Sequence, residues 1–221
     1  MKPGFYSLFY FLISDIAIIL CFVPFLLLLW KKIKVEKVYF IIGIYWLTNG
    51  LINIPTWFGQ SGNYQLSDQL IHIYNLINTP IVLLIFFFGF SGVTRKITLY
   101  TLVSFILFEL IVLIKWKGYN SDSGTMITGA GLLLVFIYSI AGVVQYLQKM
   151  EHTSSETALV FSYAALLFAY GGFIIIYIFH HIVAYTSNNK DSFLLYYISL
   201  FLAALITTLG LWTYAKPVSN L

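Results

Sequence analysis

Charged residues are scarce in this chain. Only 9% of its 221 residues are charged, whereas 60% are apolar, and the mean hydropathy is +0.90. A soluble domain carries about 25% charged residues, because a surface in water has to be covered by polar groups. The scarcity of charge therefore excludes a soluble globular protein, and we expect a chain that folds in a lipid bilayer.

Cysteine and clustered basic charge are also in short supply. The single cysteine, Cys21, stands in an apolar run and has no partner for an intramolecular disulfide, so we expect it to be a small buried hydrophobic side chain. The net charge of +4 is not gathered into a basic face. This distribution is evidence against a nucleic-acid partner.

Long apolar runs are what the sequence has in abundance. A membrane-crossing helix needs about 20 mostly apolar residues, and the runs do not alternate as the strands of a membrane barrel would. We therefore predict an all-α integral membrane protein, in a plasma or bacterial inner membrane, with a single seven-helix transmembrane domain over residues 1–221. The predicted spans are 5–30, 38–58, 70–90, 97–114, 125–147, 158–184 and 193–214.

The distribution of Lys and Arg predicts the orientation. Loops that carry more Lys and Arg stay on the cytoplasmic side, and the segments on the side where the first span ends carry eight of them, against four on the other side. We predict that the N-terminus is outside and the C-terminus is cytoplasmic. The eight are Lys31, Lys32, Lys34, Lys37, Arg95, Lys96, Lys149 and Lys216, and the four are Lys2, Lys115, Lys117 and Lys190.

Polar side chains inside the spans fall in one layer near the predicted outer side. Lipid offers them no hydrogen-bond partner, so we expect them to face the bundle interior. At 1.5 Å per residue, most lie about 4–14 Å below the outer ends of their helices. The cytoplasmic half of the spans has no Asp, Glu, His, Lys or Arg. We infer an outward-facing polar cavity with a small-molecule ligand bound by Trp46, Asn49, Asn53, His72, Asn75, Asn78, Glu109, Tyr177 and His181.

Two carboxyl groups, Asp15 and Glu109, are the charges that lie within the spans. An unpaired carboxylate inside the bundle costs several kcal/mol unless it is protonated or partnered. We expect Glu109 to pair with His72 or His181 at the same depth, and we assign a role in proton or charge coupling to Glu109 and Asp15. Each Asn also has a structural alternative, which is to join membrane helices through hydrogen bonds worth about 0.6–2 kcal/mol each.

Proline, glycine and other small residues mark special places in the spans. Pro24, Pro55, Pro80 and the Gly171-Gly172 pair can break or loosen a helix where a cavity satisfies the freed backbone groups. Pro55 and Pro80 thus favour a cavity between the second and third spans, with simple kinks as the alternative. Small residues recur along the fifth and seventh spans and are typical of close helix packing: Thr128, Gly131, Gly142, Ser199, Ala203, Thr207 and Gly210.

Three classes of function fit this pattern. We favour a transporter or permease for a polar or aromatic small molecule, without a cofactor, in which Trp46 stacks on the ligand. A sensor is the second class, and its short loops would require a separate signalling partner. The third is an intramembrane hydrolase that holds zinc with His72, His180 or His181, and Glu109, although no HxxxH or HExxH spacing occurs. A homo-oligomer is compatible with all three.

Overall fold

The computed structural model consists of helices joined by short connections. It describes residues 5–30, 36–58, 64–181 and 189–214, and the side chains of 9–30, 36–54, 69–179 and 194–214. The described residues form seven helices: α1 Phe5–Trp30, α2 Lys37–Phe58, α3 Tyr64–Gly89, α4 Gly92–Lys115, α5 Ser121–Leu147, α6 Ser154–His181 and α7 Asn189–Tyr214.

Most of these helices can cross a membrane. Six of them, all except α2, are long and apolar enough to do so. Large apolar side chains such as Leu107, Ile111 and Ile114 on α4 are exposed, as expected of a surface that faces lipid. This is a multi-pass, all-helical membrane protein. The crossing by α2, the orientation and the identity of the membrane stay predictions.

Neighbouring helices alternate in direction. A methyl group added at Gly43 of α2 would lie 2.8 Å from Leu28 of α1, and one added at Gly50 would lie 2.8 Å from Phe22. Residue numbers thus rise along α2 while they fall along α1, so the two helices are antiparallel. We call the end at which α1, α3, α5 and α7 begin the upper end, and the opposite end the lower end. The sequence predicts that the upper end faces outward.

The helices pack in a closed ring. α1, α2, α3, α5, α6 and α7 follow one another around it, and α7 returns to α1. α4 packs on α3 and α5. The largest side chains enclosed in the bundle are aromatic and include Trp46, Tyr39, Tyr45, Tyr170 and Phe86. The predicted site residues of α2 and α3 therefore lie next to a tightly filled interior.

Capping boxes start α5 and α6 before the apolar runs that predict them begin. At α5, the Asn120 side chain accepts from the Ser123 amide and the Ser123 hydroxyl accepts from the Asn120 amide, at 2.9 and 2.8 Å. At α6, Thr153 and Glu156 exchange the same pair of bonds at 3.0 and 3.2 Å, and Lys149 pairs with Glu156. Such boxes satisfy amides that have no partner within the helix.

The predicted interruptions leave their helices intact. α1 runs through Pro24, α3 through Pro80 and α6 through Gly171-Gly172 without a break. At Gly172 the missing side chain leaves room for α7, since an added methyl group would overlap Ser199. Helix α2 contains Pro55, whose side chain lies outside the described part. The glycine pair is thus a packing site rather than a break.

Candidate functional site

Polar side chains in the upper half of the bundle form two groups. One is a network of Asn and Tyr enclosed within the ring. The other lines an open cleft between α3 and the start of α5. The single polar cavity that the sequence predicts is therefore divided, and only part of the predicted set is open to a ligand.

Asn49 and Asn53 on α2 belong to the enclosed network. The Asn49 amide donates to the Tyr45 carbonyl at 2.8 Å, and its oxygen accepts from the Tyr74 hydroxyl at 2.6 Å. The Asn53 amide donates to the Asn49 carbonyl at 2.8 Å and to the Tyr196 hydroxyl at 3.3 Å. With 1% and 7% of their surfaces exposed, these residues join α2 to α3 and α7. The structure gives them the alternative role, that of joining helices.

Asn78 and Trp46 complete the enclosed group. The Asn78 amide donates to the Tyr170 hydroxyl on α6 at 3.2 Å, while its oxygen is buried without a hydrogen-bond partner among the described residues. Trp46 is 1% exposed, and its ring packs edge-on against the Tyr45 ring, with the ring centroids 5.3 Å apart. Trp46 therefore presents no free face on which a ligand could stack. Neither Asn78 nor Trp46 lines the cleft between α3 and α5, and the stacking of a ligand on Trp46 stays a prediction.

The open cleft has a volume of about 350 Å³. This lies at the small end of the range of about 300–1,000 Å³ that is usual for ligand sites. His72 and Asn75 are the two predicted site residues in its wall. The full lining is Ile71, His72, Asn75, Tyr119, Asn120, Ser121, Gly124, Thr125 and Thr128.

Tyr119, in the connection between α4 and α5, organises this cleft. Its ring is tilted against the His72 ring with centroids 4.5 Å apart, and its hydroxyl accepts from the Asn75 amide at 3.0 Å. The same hydroxyl would lie 2.8 Å from a methyl group at Gly124, so this position has room only for glycine. These contacts fix the connection against α3 and hold the cleft open before any ligand binds.

Part of the hydrogen-bonding capacity around the cleft is used within the chain. The Thr125 hydroxyl donates to the Ser121 carbonyl at 2.7 Å, and the Asn120 amide donates to the Trp116 carbonyl at 3.1 Å. Because the hydroxyl hydrogen of Thr125 is committed, its oxygen lone pairs are what it offers to a ligand.

Tyr177 on α6 lies behind the cleft rather than in its wall. Its hydroxyl donates to the Thr125 carbonyl at 3.2 Å and would lie 2.5 Å from a methyl group at Gly129. Tyr177 therefore holds α6 against the part of α5 that forms the cleft. Its role in this structure is to support the wall.

Glu109 is buried, as the sequence predicts. It is 6% exposed, and its Oε1 atom has no hydrogen-bond partner among the described residues. The expected ion pair with His72 is not formed, since the ion pair within the described residues is Lys149 with Glu156. The alternative partner, His181, lies outside the described side chains.

The register of α4 against α5 sets Glu109 at the level of the cleft, although Glu109 is not among the residues that line it. The hydroxyl oxygens of Thr101 and Tyr138 lie 2.7 Å apart, and the two helices are antiparallel. Eight residues toward the upper end, Glu109 is therefore level with Ala130. Thr128, the deepest cleft residue on α5, is within one helical turn of that level.

Asp15 does not belong to either group. Its side chain is exposed on the same face of α1 as Leu12 and Ile19, which are 53% and 56% exposed. The opposite face, with Ala17 and Ile18, is the buried one. The expectation that Asp15 faces the bundle interior is wrong, because α1 turns that side of the helix outward.

The metal-site hypothesis depends on residues beyond the described side chains. His180 and His181 lie in the last turn of α6, and their side chains are not described. Among the side chains that are, no group of three His, Cys, Asp or Glu residues lies close enough to hold a metal ion. Zinc bound by His72, Glu109 and the α6 histidines stays a prediction.

Sequence reasoning missed the contribution of the connection before α5. Tyr119 and Thr125 were not among the predicted site residues, and Thr128 was expected only to pack helices. The Asn120-to-Ser123 capping pattern is the signal that could have found them. It starts α5 at the level of the cleft and so brings its first two turns to the site.

The chain matches no known protein-family model, no curated protein and no solved structure. The candidate site is therefore interpreted from its own residues and geometry.

Proposed function

We propose that this protein is a carrier that binds a small polar or aromatic solute in the cleft between α3 and α5. The observation that supports this most directly is the cleft of about 350 Å³ with polar residues from two helices and a connection. Polar side chains at membrane depth mark substrate pathways by default, because lipid cannot satisfy them.

The lower part of α3, α5 and α6 supports the same function, because aromatic rings fill the space between these helices. Phe86 stacks on Tyr163 with centroids 5.2 Å apart and on Phe90 at 5.6 Å, and Tyr138 packs beside both phenylalanines at 5.6 and 6.3 Å. A carrier alternates between states in which its site is open to one side and sealed from the other. A cleft at the upper end above this filled space has the form of one such state.

Four residues of the cleft, together with Glu109, have specific roles in this proposal. The paired rings of His72 and Tyr119 provide an aromatic wall, and Asn75 and Thr125 provide hydrogen bonds to a polar group. Glu109, buried within a turn of the deepest cleft residue, carries the coupling charge. The rigid attachment of Tyr119 to α3 would reduce the cost of ordering the site on binding.

Uptake by purified protein in proteoliposomes tests the function. We screen radiolabelled amino acids, nucleosides and water-soluble vitamins, and we expect saturable uptake of at least one. Thr125→Val should raise its KM by about fivefold or more, because the substitution removes a hydroxyl at the site and keeps the side-chain shape. Thr208→Val is the matched control, since Thr208 donates to the Ala204 carbonyl at 2.7 Å in the same way but lies in the lower half.

The outcomes separate the classes of function. Binding of a solute that is sensitive to Thr125→Val, without any uptake, would overturn the carrier and favour a sensor. Uptake that changes equally in Thr125→Val and Thr208→Val would show that the cleft is not the binding site.

A further inference from the structure

The chemical class of the solute follows from Glu109, a buried carboxyl at the level of the cleft, whose Oε1 atom has no hydrogen-bond partner among the described residues. We propose that the ligand is a cation, a protonated amine, and that its charge pairs with Glu109. This inference rests on the proposed binding function of the cleft and specifies what binds there.

Within the described residues, nothing compensates a negative charge on the buried Oε1 atom of Glu109. Among the described side chains it is the one buried carboxyl, its Oε1 accepts no hydrogen bond, and no described Lys or Arg forms an ion pair with it. A buried carboxylate without a partner is strongly disfavoured in a membrane bundle. A proton on Glu109 removes this cost, and an arriving cation takes the place of that proton, which leaves through the open cleft to water.

The cleft wall is suited to a cation. No Lys or Arg is among its lining residues, so the wall contains no permanent positive charge. Tyr119, whose ring lies 4.5 Å from the His72 ring, provides the type of aromatic ring to which ammonium groups are attracted. Thr125 offers an oxygen whose own hydrogen is already committed, and an ammonium N–H group needs such acceptors.

One feature of the cleft would by itself favour an anion, because α5 begins there and the N-terminus of a helix is its positive end. The capping box between Asn120 and Ser123 already satisfies amides of that turn, and Asp122 adds negative charge to it. Lys115 and Lys117 lie at the same end but are exposed, where water and salt screen their charges over about 10 Å. Once its proton has left, Glu109 carries a negative charge that is buried and therefore much less screened than those of the exposed lysines.

Binding of matched cationic and neutral probes tests the proposal. The probes are protonated primary and quaternary amines of small to medium size, each paired with the neutral alcohol of the same carbon skeleton. Affinities are measured by calorimetry at neutral pH on the full chain in lipid nanodiscs. We expect at least one amine to bind about tenfold or more tightly than its alcohol, and Glu109→Gln to abolish that preference, because the charge partner is lost.

Two variants keep the result interpretable. Asp122→Asn removes one exposed carboxylate at the same end of the bundle and should change the affinity for the amine by less than about twofold. Glu109→Gln keeps the size of the side chain and breaks no ion pair, and its thermal unfolding curve checks that it folds. A Glu109→Gln protein that binds the amine as well as the wild type would overturn the proposal, as would a panel in which no amine binds better than its alcohol.

The Thr125→Val variant separates failure of this inference from failure of the proposed function. Solute uptake that depends on Thr125 but not on Glu109 would retain the cleft as the binding site and reject a cationic ligand. Uptake that depends on neither residue would reject both proposals.

Discussion

Tyr39 and Tyr163 are both buried tyrosines of the lower half, and they differ in what their hydroxyl groups contact. The Tyr39 hydroxyl donates to the Ser155 carbonyl at 2.6 Å and lies 2.8 Å from the Ser155 hydroxyl, which joins α2 to α6. The Tyr163 hydroxyl has no partner among the described residues and lies against Gly89. The same chemical group therefore stabilises the fold at one position and carries an uncompensated desolvation cost at the other.

This contrast predicts opposite effects of one substitution. Tyr39→Phe should lower the free energy of unfolding by about 1–2 kcal/mol, because it breaks a buried hydrogen bond. Tyr163→Phe should leave it unchanged or raise it by about 1 kcal/mol, because it removes a buried polar group that has no partner. Unfolding of the purified protein in a mixed-detergent titration measures both. Equal losses in the two variants would contradict this account.

The most extensive contact between two helices of the bundle is that of α6 with α7. Two adjacent glycines on α6 differ in what they contribute to it. A methyl group added at Gly172 would overlap the Ser199 hydroxyl of α7, whereas one added at Gly171 would lie 3.4 Å from Phe136 of α5, an ordinary contact. Close approach of two membrane helices depends on small residues at such positions. Gly172 sets the distance between α6 and α7, and Gly171 does not.

Substitution of each glycine by alanine tests this difference within a single helix. Gly172→Ala should lower the free energy of unfolding by about 1–3 kcal/mol, because the added methyl group forces α7 away. Gly171→Ala should be neutral or stabilising by up to about 1 kcal/mol, since alanine is the better helix former. The same detergent titration measures both. Similar destabilisation by the two variants would show that helix propensity or local bending, and not the α6–α7 contact, explains the glycine pair.

The existence of the helices was predictable, whereas some of their ends were not. A run of about 20 apolar residues is long enough to cross lipid and has few other stable conformations there. Helix α3, however, begins at Tyr64 and not at residue 70. Once the chain leaves the hydrocarbon region, polar residues continue a helix as readily as apolar ones, so hydropathy marks the edge of the membrane rather than the end of the helix.

The polar layer was predictable only in part, for a similar physical reason. Helical spacing correctly puts Asn49 and Asn53 on one buried face of α2, but their partners Tyr74 and Tyr196 come from α3 and α7. No spacing within one helix predicts such pairs. Asp15 was misassigned because α1 is apolar on nearly every side, so the sequence has no polar face from which its inward direction could be inferred.

At the scale of the whole molecule, the two ends of the bundle differ in charge and in form. The upper end carries the cleft, whereas the sequence predicts most of the basic residues for the lower end, where Lys37, Arg95, Lys96 and Lys149 lie among the described residues. At the lower end, the Arg95 guanidinium lies 4.6 Å from the centre of the Phe87 ring. An exposed Arg beside aromatic rings is typical of the interface between lipid and water. The excess of basic residues predicts that the lower end faces the cytoplasm.

Cysteine labelling tests this orientation directly, because the native Cys21 is fully buried and should not react. Ser121→Cys introduces a thiol at the mouth of the cleft, and Met150→Cys introduces one at a fully exposed position of the lower end. With a membrane-impermeant thiol reagent on intact cells, we expect Ser121→Cys to be labelled and Met150→Cys to react only after permeabilisation. The unsubstituted chain is the control for Cys21. The reverse pattern would mean that the cleft faces the cytoplasm, so that a carrier in this conformation would be loaded from inside the cell and would release its solute outside.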